Sequence, residues 1–401
     1  MKNKPRIRFK GFTEDWEQRK LGDIATFSKG NGYSKSDLAP SGNPIILYGR
    51  LYTNYETTIS NVDTFVELKD KSVLSQGGEV IVPASGETAE DISRASVVKN
   101  QGIIIGGDLN VIKANHLLDP TFLALTISNG GQQKELSKRA QGKSVVHLHN
   151  SDLQEVNLIF PLLNEQKEIS TLFEKMDNII TLHQRKLEKL KLAKKALLQK
   201  LFPKNGSKFP ELRFKGFANA WEQRKLGDYL SIPEKEILEV DSSDDLITVK
   251  LNLGGVELGA SRDTLSLGST VYYKRYAGQF IYGKQNFFNG SMGLIPTNLD
   301  GKGSSGDVPS FNISNIEENY LYTYVSRESY WRSKVAAASG TGSKRIHEKT
   351  FLDFNIDVPS MDEQKLISNT FDLVDRFITL HQRKLDKLQE VKKGLLQKMF
   401  V

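Results

Sequence analysis

The heptapeptide TLHQRKL occupies residues 181–187 and recurs in identical form at residues 379–385. Each copy lies within a longer series of apolar residues that are spaced alternately four and three apart, which is the pattern of a coiled-coil seam. The seam begins at Ile169 in the first copy and at Ile367 in the second. Each series predicts a helix of about 37 residues, roughly 55 Å long at 1.5 Å per residue. A stripe of that length must be buried, and the matching stripe of the other copy is the natural partner.

Each heptapeptide carries a histidine at a seam position where the pattern favours an apolar residue. Connectivity allows the two helices to run parallel or antiparallel, and an internal twofold relating the two halves would make them antiparallel. In a centred antiparallel register, His183 lies across from Leu385 and His381 lies across from Leu187. A polar seam residue costs stability but specifies register and partner choice. We therefore predict that these four residues set the register, and that neither histidine is catalytic or binds a metal.

The repeat extends well beyond the helices. RFKGF and WEQRKLGD open both halves of the chain, at residues 8–23 and 213–228, and a proline followed by an EQ pair leads into both helices. The stretches between these blocks share no comparable identity. We predict four segments: a variable domain over 1–160, a helix over 161–203, a second variable domain over 204–358 and a second helix over 359–401. Near-identical frames that hold dissimilar inserts suggest one task performed on two targets; the alternative is a duplication without division of function.

Composition narrows the class of protein. The net charge of +7 and the isoelectric point near 9.1 favour a polyanionic partner, with nucleic acid first. The chain has no cysteine, which excludes disulfides and thiolate metal sites and favours the cytoplasm. No run approaches eighteen apolar residues, so no membrane span is expected. The hydrophobic and charged fractions, 38% and 26%, are those of a globular protein.

Both variable domains have the pattern of α+β structure. Short apolar runs bounded by glycine predict strands at residues 79–85, 102–106, 109–114, 270–276, 278–283 and 290–296. A helical segment precedes each long helix, at 117–136 and 316–335, and a polar glycine loop follows each segment, at 141–149 and 339–347. Loops on such a scaffold are where side chains that read DNA bases are expected.

Two sets of side chains are candidates for DNA contact. The segment 272–288 interleaves basic and amide side chains with aromatic ones, and Arg, Lys, Gln and Asn are the residues that pair with guanine and adenine edges. An alternative for the same segment is a β-hairpin with alternating buried and exposed faces. The candidates are Tyr48, Arg50, Ser85, Glu87, Arg94, Lys143, Ser144 and His147 in the first domain, and Tyr273, Lys274, Arg275, Tyr276, Lys284, Gln285, Asn286, Lys344 and Arg345 in the second.

No motif in the chain predicts catalysis. GKS at 142–144 lacks the glycine five residues earlier that a phosphate-binding loop requires, since position 137 is serine. His147 and His149 lie two apart, without the cysteine or carboxylate partners of a zinc site. We therefore predict no catalytic residue and no metal ligand.

The repeated blocks resemble those of the specificity subunit of a type I restriction–modification system, and the resemblance covers the full chain. It implies an α+β fold in which two α/β target recognition domains are separated by two long antiparallel coiled-coil helices, with internal pseudo-twofold symmetry. It also implies a non-catalytic subunit that reads a bipartite, asymmetric DNA sequence, with one recognition domain for each half-site and the helices as the spacer.

The partners and cofactors follow from the same resemblance. Double-stranded DNA, two modification subunits and the restriction subunits would bind this chain, and no membrane is involved. S-adenosylmethionine would lie on the modification subunits, which methylate adenine after flipping it, whereas ATP and Mg²⁺ would lie on the restriction subunits. This chain would bind no cofactor itself. The competing interpretations are a self-contained DNA methyltransferase or nuclease, and a coiled-coil scaffold without DNA specificity.

Overall fold

The computed structural model of the protein describes residues 4–140, 142, 145–204, 206–259, 270–340 and 344–400. The chain divides into two compact units, the first formed by Met1–Arg185 with Gln382–Val401 and the second by Lys186–His381. Both boundaries fall inside the long helices, whereas the four predicted segments divide the chain at the helix ends. Over the described ranges, no helix has both the length and the apolar character that crossing a membrane requires.

The first unit is a mixed α and β structure. Its strands are β1 (Glu17–Lys20), β2 (Ala25–Lys29), β3 (Leu38–Ala39), β4 (Asn43–Ile46), β5 (Thr58–Ile59), β6 (Phe65–Val66), β7 (Glu79–Pro83), β8 (Ser85–Gly86), β9 (Ser96–Val98), β10 (Ile104–Ile105), β11 (Leu109–Ala114), β12 (Val146–His147) and β13 (Asn157–Phe160). Its helices are α1 (Leu21–Ile24), α2 (Arg50–Thr53), α3 (Pro120–Ile127), α4 (Gly130–Arg139), α5 (Asn150–Gln154) and the first part of α6 (Leu163–Lys200).

A five-stranded sheet forms the centre of this unit, in the order β2-β11-β7-β9-β5, with a parallel pair only between β5 and β9. All five residues of β7 are buried, as expected for a Val- and Ile-rich central strand. Seven residues of helix α3 are buried, and five of them belong to the hydrophobic core that this sheet shares. A smaller sheet has the order β10-β4-β6-β3. The strands predicted at 79–85, 102–106 and 109–114 are confirmed.

The single helix predicted over 117–136 is wrong, because the structure has two helices there. The first begins with Pro120 after Asp119, whose carboxylate accepts a hydrogen bond from the Phe122 amide at 2.9 Å, a standard N-cap. The chain then breaks at Asn129 and Gly130, where the glycine has a φ of 73°, a conformation that glycine adopts without strain.

The second unit repeats this class of structure with different strands. They are β14 (Glu222–Lys225), β15 (Leu230–Ser231), β16 (Ile237–Leu238), β17 (Ile247–Val249), β18 (Val256–Leu258), β19 (Tyr272–Lys274), β20 (Phe280–Tyr282), β21 (Met292–Leu294), β22 (Gly303–Ser305), β23 (Ser310–Ile313) and β24 (Asn355–Val358). The helices are α7 (Glu318–Val325), α8 (Glu328–Arg332), α9 (Glu348–Leu352) and α10 (Met361–Met399), of which α10 continues into the first unit. The predicted helix at 316–335 is again two helices.

The three strands predicted in this unit are confirmed, but the hairpin interpretation of 272–288 is wrong. Strand β19 pairs with β16 and β22, whereas β20 pairs with β21 and β23. The two strands therefore belong to different sheets. Strand order depends on pairings between distant segments, which the local alternation of apolar residues does not specify.

The repeated blocks of sequence pair with each other in both units. The EQRK stretch of the first opening block is β1, which pairs antiparallel with β13, the strand that leads into α6. In the second unit β14 pairs in the same way with β24, which leads into α10. The tryptophan before each EQRK strand, Trp16 or Trp221, is only 2% exposed. The repeated sequence is thus a structural frame around each variable domain.

The long helices run antiparallel within each unit. In the first unit the beginning of α6 packs against the end of α10, and Lys392 donates to Asp177. In the second unit the end of α6 packs against the beginning of α10, and Lys194 lies 2.6 Å from Asp375. From Asp177 to Lys194 the chain advances 17 residues along α6, and from Lys392 to Asp375 it goes back 17 residues along α10. The two ion pairs therefore have the same antiparallel register.

Candidate nucleic-acid interface

In the first unit, the predicted side chains Ser85 and His147 meet across a short two-stranded ladder. Strand β8 pairs antiparallel with β12, which places Ser85 opposite His147 with 3.3 Å between Oγ and Nδ1. His147 is exposed, and its ring stacks on that of His149 at 6.4 Å. Glu87 is exposed just beyond the ladder. Residues about 60 positions apart in the chain therefore form one polar surface.

A tyrosine that the sequence analysis missed supports this surface. The Tyr52 hydroxyl donates to the Ser85 carbonyl at 2.8 Å, and its ring lies edge-on to that of the exposed Tyr48 at 6.2 Å. Burial raises the pKa of the Tyr52 phenol, so the hydroxyl stays protonated and donates. A side chain at position 86 would come within 2.9 Å of the Tyr52 hydroxyl, which accounts for Gly86. The spacing of Tyr48 and Tyr52 by one helical turn was the available signal.

The two arginines predicted in this unit are engaged by neighbouring acids. Arg50 donates to Asp63 at 2.7 Å and to Glu56 at 2.8 Å, and its side chain is only 12% exposed. The bond from Arg50 lowers the pKa of the Asp63 carboxyl. Arg94 donates to Asp91 at 2.6 Å and is half-buried. Arg50 thus braces the loop before Asp63, which does not fit the predicted base contact. Lys143 and Ser144 lie outside the described residues.

In the second unit, the corresponding segments also meet. The Ile346 amide donates to the Lys284 carbonyl at 3.1 Å, which joins the segment after β20 to the C-terminal part of the second glycine loop. Lys284 lies 3.0 Å from Glu348, and Arg345 lies 3.3 Å from Asp307. The remaining candidates of this group are exposed beside them: Gln285, Asn286 and Lys344.

The predicted residues on and after β19 separate into exposed and buried side chains. Lys274 and the exposed Tyr276 both donate to Glu236, and the bond to Glu236 raises the pKa of each donor. Arg275 is 6% exposed and donates to Ser304 Oγ at 2.7 Å. Its guanidinium lies 5.6 Å from the ring centre of the half-buried Tyr273. Burial lowers the pKa of Arg275 to about 10, so it stays charged.

That burial does not fit the predicted base contact for Arg275. Nη2 of Arg275 also donates to the carbonyls of Ser305 and Val308. The hydrogen bonds of Arg275 therefore stabilise β22 and the turn that follows it. Just after β19 the consecutive side chains of Arg275 and Tyr276 differ in burial, with Arg275 buried and Tyr276 exposed, so the run of adjacent candidates does not face one ligand.

The seam residues are placed as a coiled coil requires. Leu187, Leu385 and His381 are 6–7% exposed, and His183 is half-buried. The register given by the ion pairs brings His183 to the level of residue 386 in the first unit, one residue from the predicted Leu385. It brings His381 to the level of residue 188 in the second unit, one residue from the predicted Leu187. Among the described residues, no three His, Cys, Asp or Glu side chains come together as a metal site would need.

Comparisons with known proteins agree on one family. The model of the family described as "Type I restriction modification DNA specificity domain" matches this chain twice, over residues 13–192 and 219–390. Two relatives from Methanocaldococcus jannaschii are similar over 96% of this chain. The type I restriction enzyme MjaVIII specificity subunit is 20% identical, with 91% of its own length covered. The putative type I restriction enzyme MjaX specificity subunit is 22% identical, with 92% covered.

A solved structure has the same fold. The crystal structure of a type I restriction–modification system S subunit from M. genitalium matches this chain with a TM-score of 0.64, over 99% of both chains and at 14% sequence identity. At that identity the likeness concerns the fold alone.

Proposed function

This chain belongs to the type I restriction–modification DNA specificity family, and from that premise we propose how it reads DNA. It is a specificity subunit with two recognition domains, and it is non-catalytic, since the chemistry of type I restriction enzymes lies in other subunits. Each unit reads one half of a bipartite, asymmetric sequence on double-stranded DNA. The paired helices separate the two recognition surfaces and set the length of the unread spacer.

One observation carries this proposal. In both units the segment after a central strand meets the C-terminal part of the glycine loop, yet the side chains they present differ. The first unit presents Ser85 and His147, and the second presents Lys284 and Arg345. The same scaffold with different polar groups is what two different base sequences require, because base edges are distinguished by their donors and acceptors.

The ion pairs at these surfaces fit a role in binding as well. Lys284 and Arg345 are held by Glu348 and Asp307, which keeps their side chains ordered before DNA arrives. A phosphate or a guanine edge would then have to displace an acidic side chain from the lysine or the arginine. Binding to the wrong sequence would therefore gain little free energy. We place the side chains of Tyr48, Glu87, Gln285, Asn286 and Lys344 at the same two surfaces.

The partners are proposed from the family. Two modification subunits dock on this chain, bind S-adenosylmethionine and methylate adenine after flipping it out of the duplex. Restriction subunits that use ATP and Mg²⁺ join them to form the nuclease. This chain binds no cofactor, and the absence of cysteine suits the cytoplasm.

Methylome sequencing tests the proposal. Cells that carry this chain with its modification subunit should show adenine methylation in a split motif, two short sequences separated by unspecified bases. Replacing residues 24–160 with the corresponding domain of another family member should change only one half of the motif. A continuous motif, or a change in both halves, would contradict the proposal. Methyl transfer by the purified chain alone would favour a self-contained enzyme, and methylation without any motif would favour a scaffold.

A further inference from the structure

An arginine from each opening block is paired with a buried glutamate at the start of a long helix. In the first unit Arg8 donates through Nε and Nη2 to the two oxygens of Glu165, at 2.6 and 2.7 Å. In the second unit Arg213 donates to Glu363 in the same two-bond arrangement, at 2.8 Å for each bond. Each glutamate side chain is only 1% exposed. The bond to its glutamate raises the pKa of each arginine.

The glutamine that follows each glutamate connects the helix to the recognition domain. Gln166 accepts from the Asp119 amide at 2.9 Å and donates to the Pro161 carbonyl at 2.8 Å. In the second unit Gln364 accepts from the Glu317 amide and donates to the Pro359 carbonyl, both at 2.9 Å. Each glutamine therefore joins the start of a long helix to the N-terminal end of a domain helix, α3 or α7.

A serine one turn further along each long helix completes the connection. Ser170 donates to the Asp119 carboxylate, which also caps α3. Ser368 donates to the Glu317 carboxylate, which also caps α7. We call these two networks the polar joints. The joint of the first unit consists of Arg8, Glu165, Gln166, Asp119 and Ser170, and that of the second consists of Arg213, Glu363, Gln364, Glu317 and Ser368.

We propose that each polar joint is a positioning element that holds its recognition domain at one angle on the paired helices, and thereby limits the spacer lengths that the complex accepts. This inference rests on the proposed function. Apolar contacts tolerate small rotations at little cost, whereas a two-bond arginine–carboxylate pair and a side-chain amide that makes two hydrogen bonds are directional. Buried polar networks are retained for such specificity in several proteins, although they add little net stability.

The repetition of the joints supports this role. The polar surfaces that face DNA differ between the units, whereas the joints match at four of five positions, with aspartate replaced by glutamate at the fifth. A bond network that positions a domain does not depend on which bases the domain reads. The three parts that meet at each joint are the opening segment, the domain and the long helix, so the angle between domain and helix is set there.

The test uses Arg8→Lys in the full chain, assembled with its modification subunits. Lysine keeps the charge but cannot form both bonds of the guanidinium. Duplexes carry both half-sites at the native spacing, or at a spacing one base pair shorter or longer. We expect the preference for the native spacing to fall by about tenfold, the lower end of the effect of losing one hydrogen bond to a charged group, with both half-sites unchanged. Arg213→Lys and the milder Ser170→Ala should act in the same direction.

A matched control separates positioning from stability. Val80→Ala removes two buried methyl groups from β7 but none of the hydrogen bonds of the joint, and it lowers the melting temperature of the same unit. It should leave the spacing preference unchanged. The inference is overturned if Arg8→Lys and Ser170→Ala retain the wild-type preference, or if Val80→Ala weakens it equally. If the wild-type complex methylates no bipartite sequence, the proposed function itself fails.

Discussion

Replacing Phe202 with alanine should destabilise the second unit selectively. Phe202 follows the end of α6 and is 1% exposed. Its ring lies 5.6–6.1 Å from those of Trp221, Tyr320, Tyr324 and Phe371. The guanidinium of Arg327 also lies 4.3 Å from the ring centre. The side chain thus fastens the end of α6 into the core of the domain that follows it.

The expected loss in the free energy of unfolding is about 4 kcal/mol, within the usual range for removing a buried phenylalanine. The aromatic pairs and the cation–π contact favour the upper part of that range, although their contributions are not additive. For a unit of this size, each kcal/mol lowers the melting temperature by about 2–4 °C. The shift should therefore be about 8–16 °C.

Calorimetry of the full chain measures the size of the effect, and hydrogen exchange read by mass spectrometry measures its location. Amides of β20, β23 and α7 should lose protection, while those of β7 and β11 keep theirs. Phe400→Ala is the matched control, because Phe400 fastens the end of α10 into the first unit beside Phe122 and Phe173. A loss below about 1 kcal/mol, or equal loss of protection in both units, would refute the anchoring role.

Three further predictions concern the paired helices. Replacing His183 and His381 together with leucine should hold or raise the melting temperature, because leucine packs better in a seam, but it should loosen the register and broaden the accepted spacer lengths. A sharp fall in stability with an unchanged spacer would contradict this. Inserting four residues within 181–187 should lengthen the preferred spacer in methylome sequencing and leave both half-sites intact; altered half-sites would rule out the division of labour. Lys392→Glu should lower the melting temperature more than Lys194→Glu, because the side chain of Lys392 is 19% exposed and that of Lys194 is 33% exposed. The loss in the free energy of unfolding should be about 1 kcal/mol for the more exposed pair. Equal reductions in melting temperature would show that the stabilisation from these ion pairs does not depend on their burial.

Much of the frame follows from local pattern. The seam of α6 and α10 has a period that only a long helix satisfies, and the structure extends these helices over 38 and 39 residues. The Val- and Ile-rich run at 109–114 is a strand with the predicted limits. The single helices predicted at 117–136 and 316–335 are each interrupted in the middle. Gly130, with a positive φ, interrupts the first. Arg327, extended and buried against the rings of Phe202 and Tyr324, interrupts the second.

The candidate interface was predictable in part. The sequence predicted both of the segments that meet in each unit, because apolar runs and glycines mark where strands end and loops lie. The orientation of single side chains was not, as Arg275 and Tyr276 illustrate. Tyr52 was missed because its role depends on the Ser85 carbonyl, which lies 33 residues away in the chain.

Repetition and periodicity can be read along the chain, and they suffice to predict two long apolar seams and two unlike domains. Which polar groups face outward and which hold the fold together depends instead on contacts made in the folded protein. Arg8 lies in the opening block, whereas Glu165 and Gln166 form the EQ pair at the start of α6, and no local pattern links the two blocks. A buried pair forms only where the folded chain brings both partners into one dry site. Whether a polar side chain is buried, and which partner it then meets, depends on contacts between residues that are distant in the chain. The local sequence around each residue does not specify those contacts.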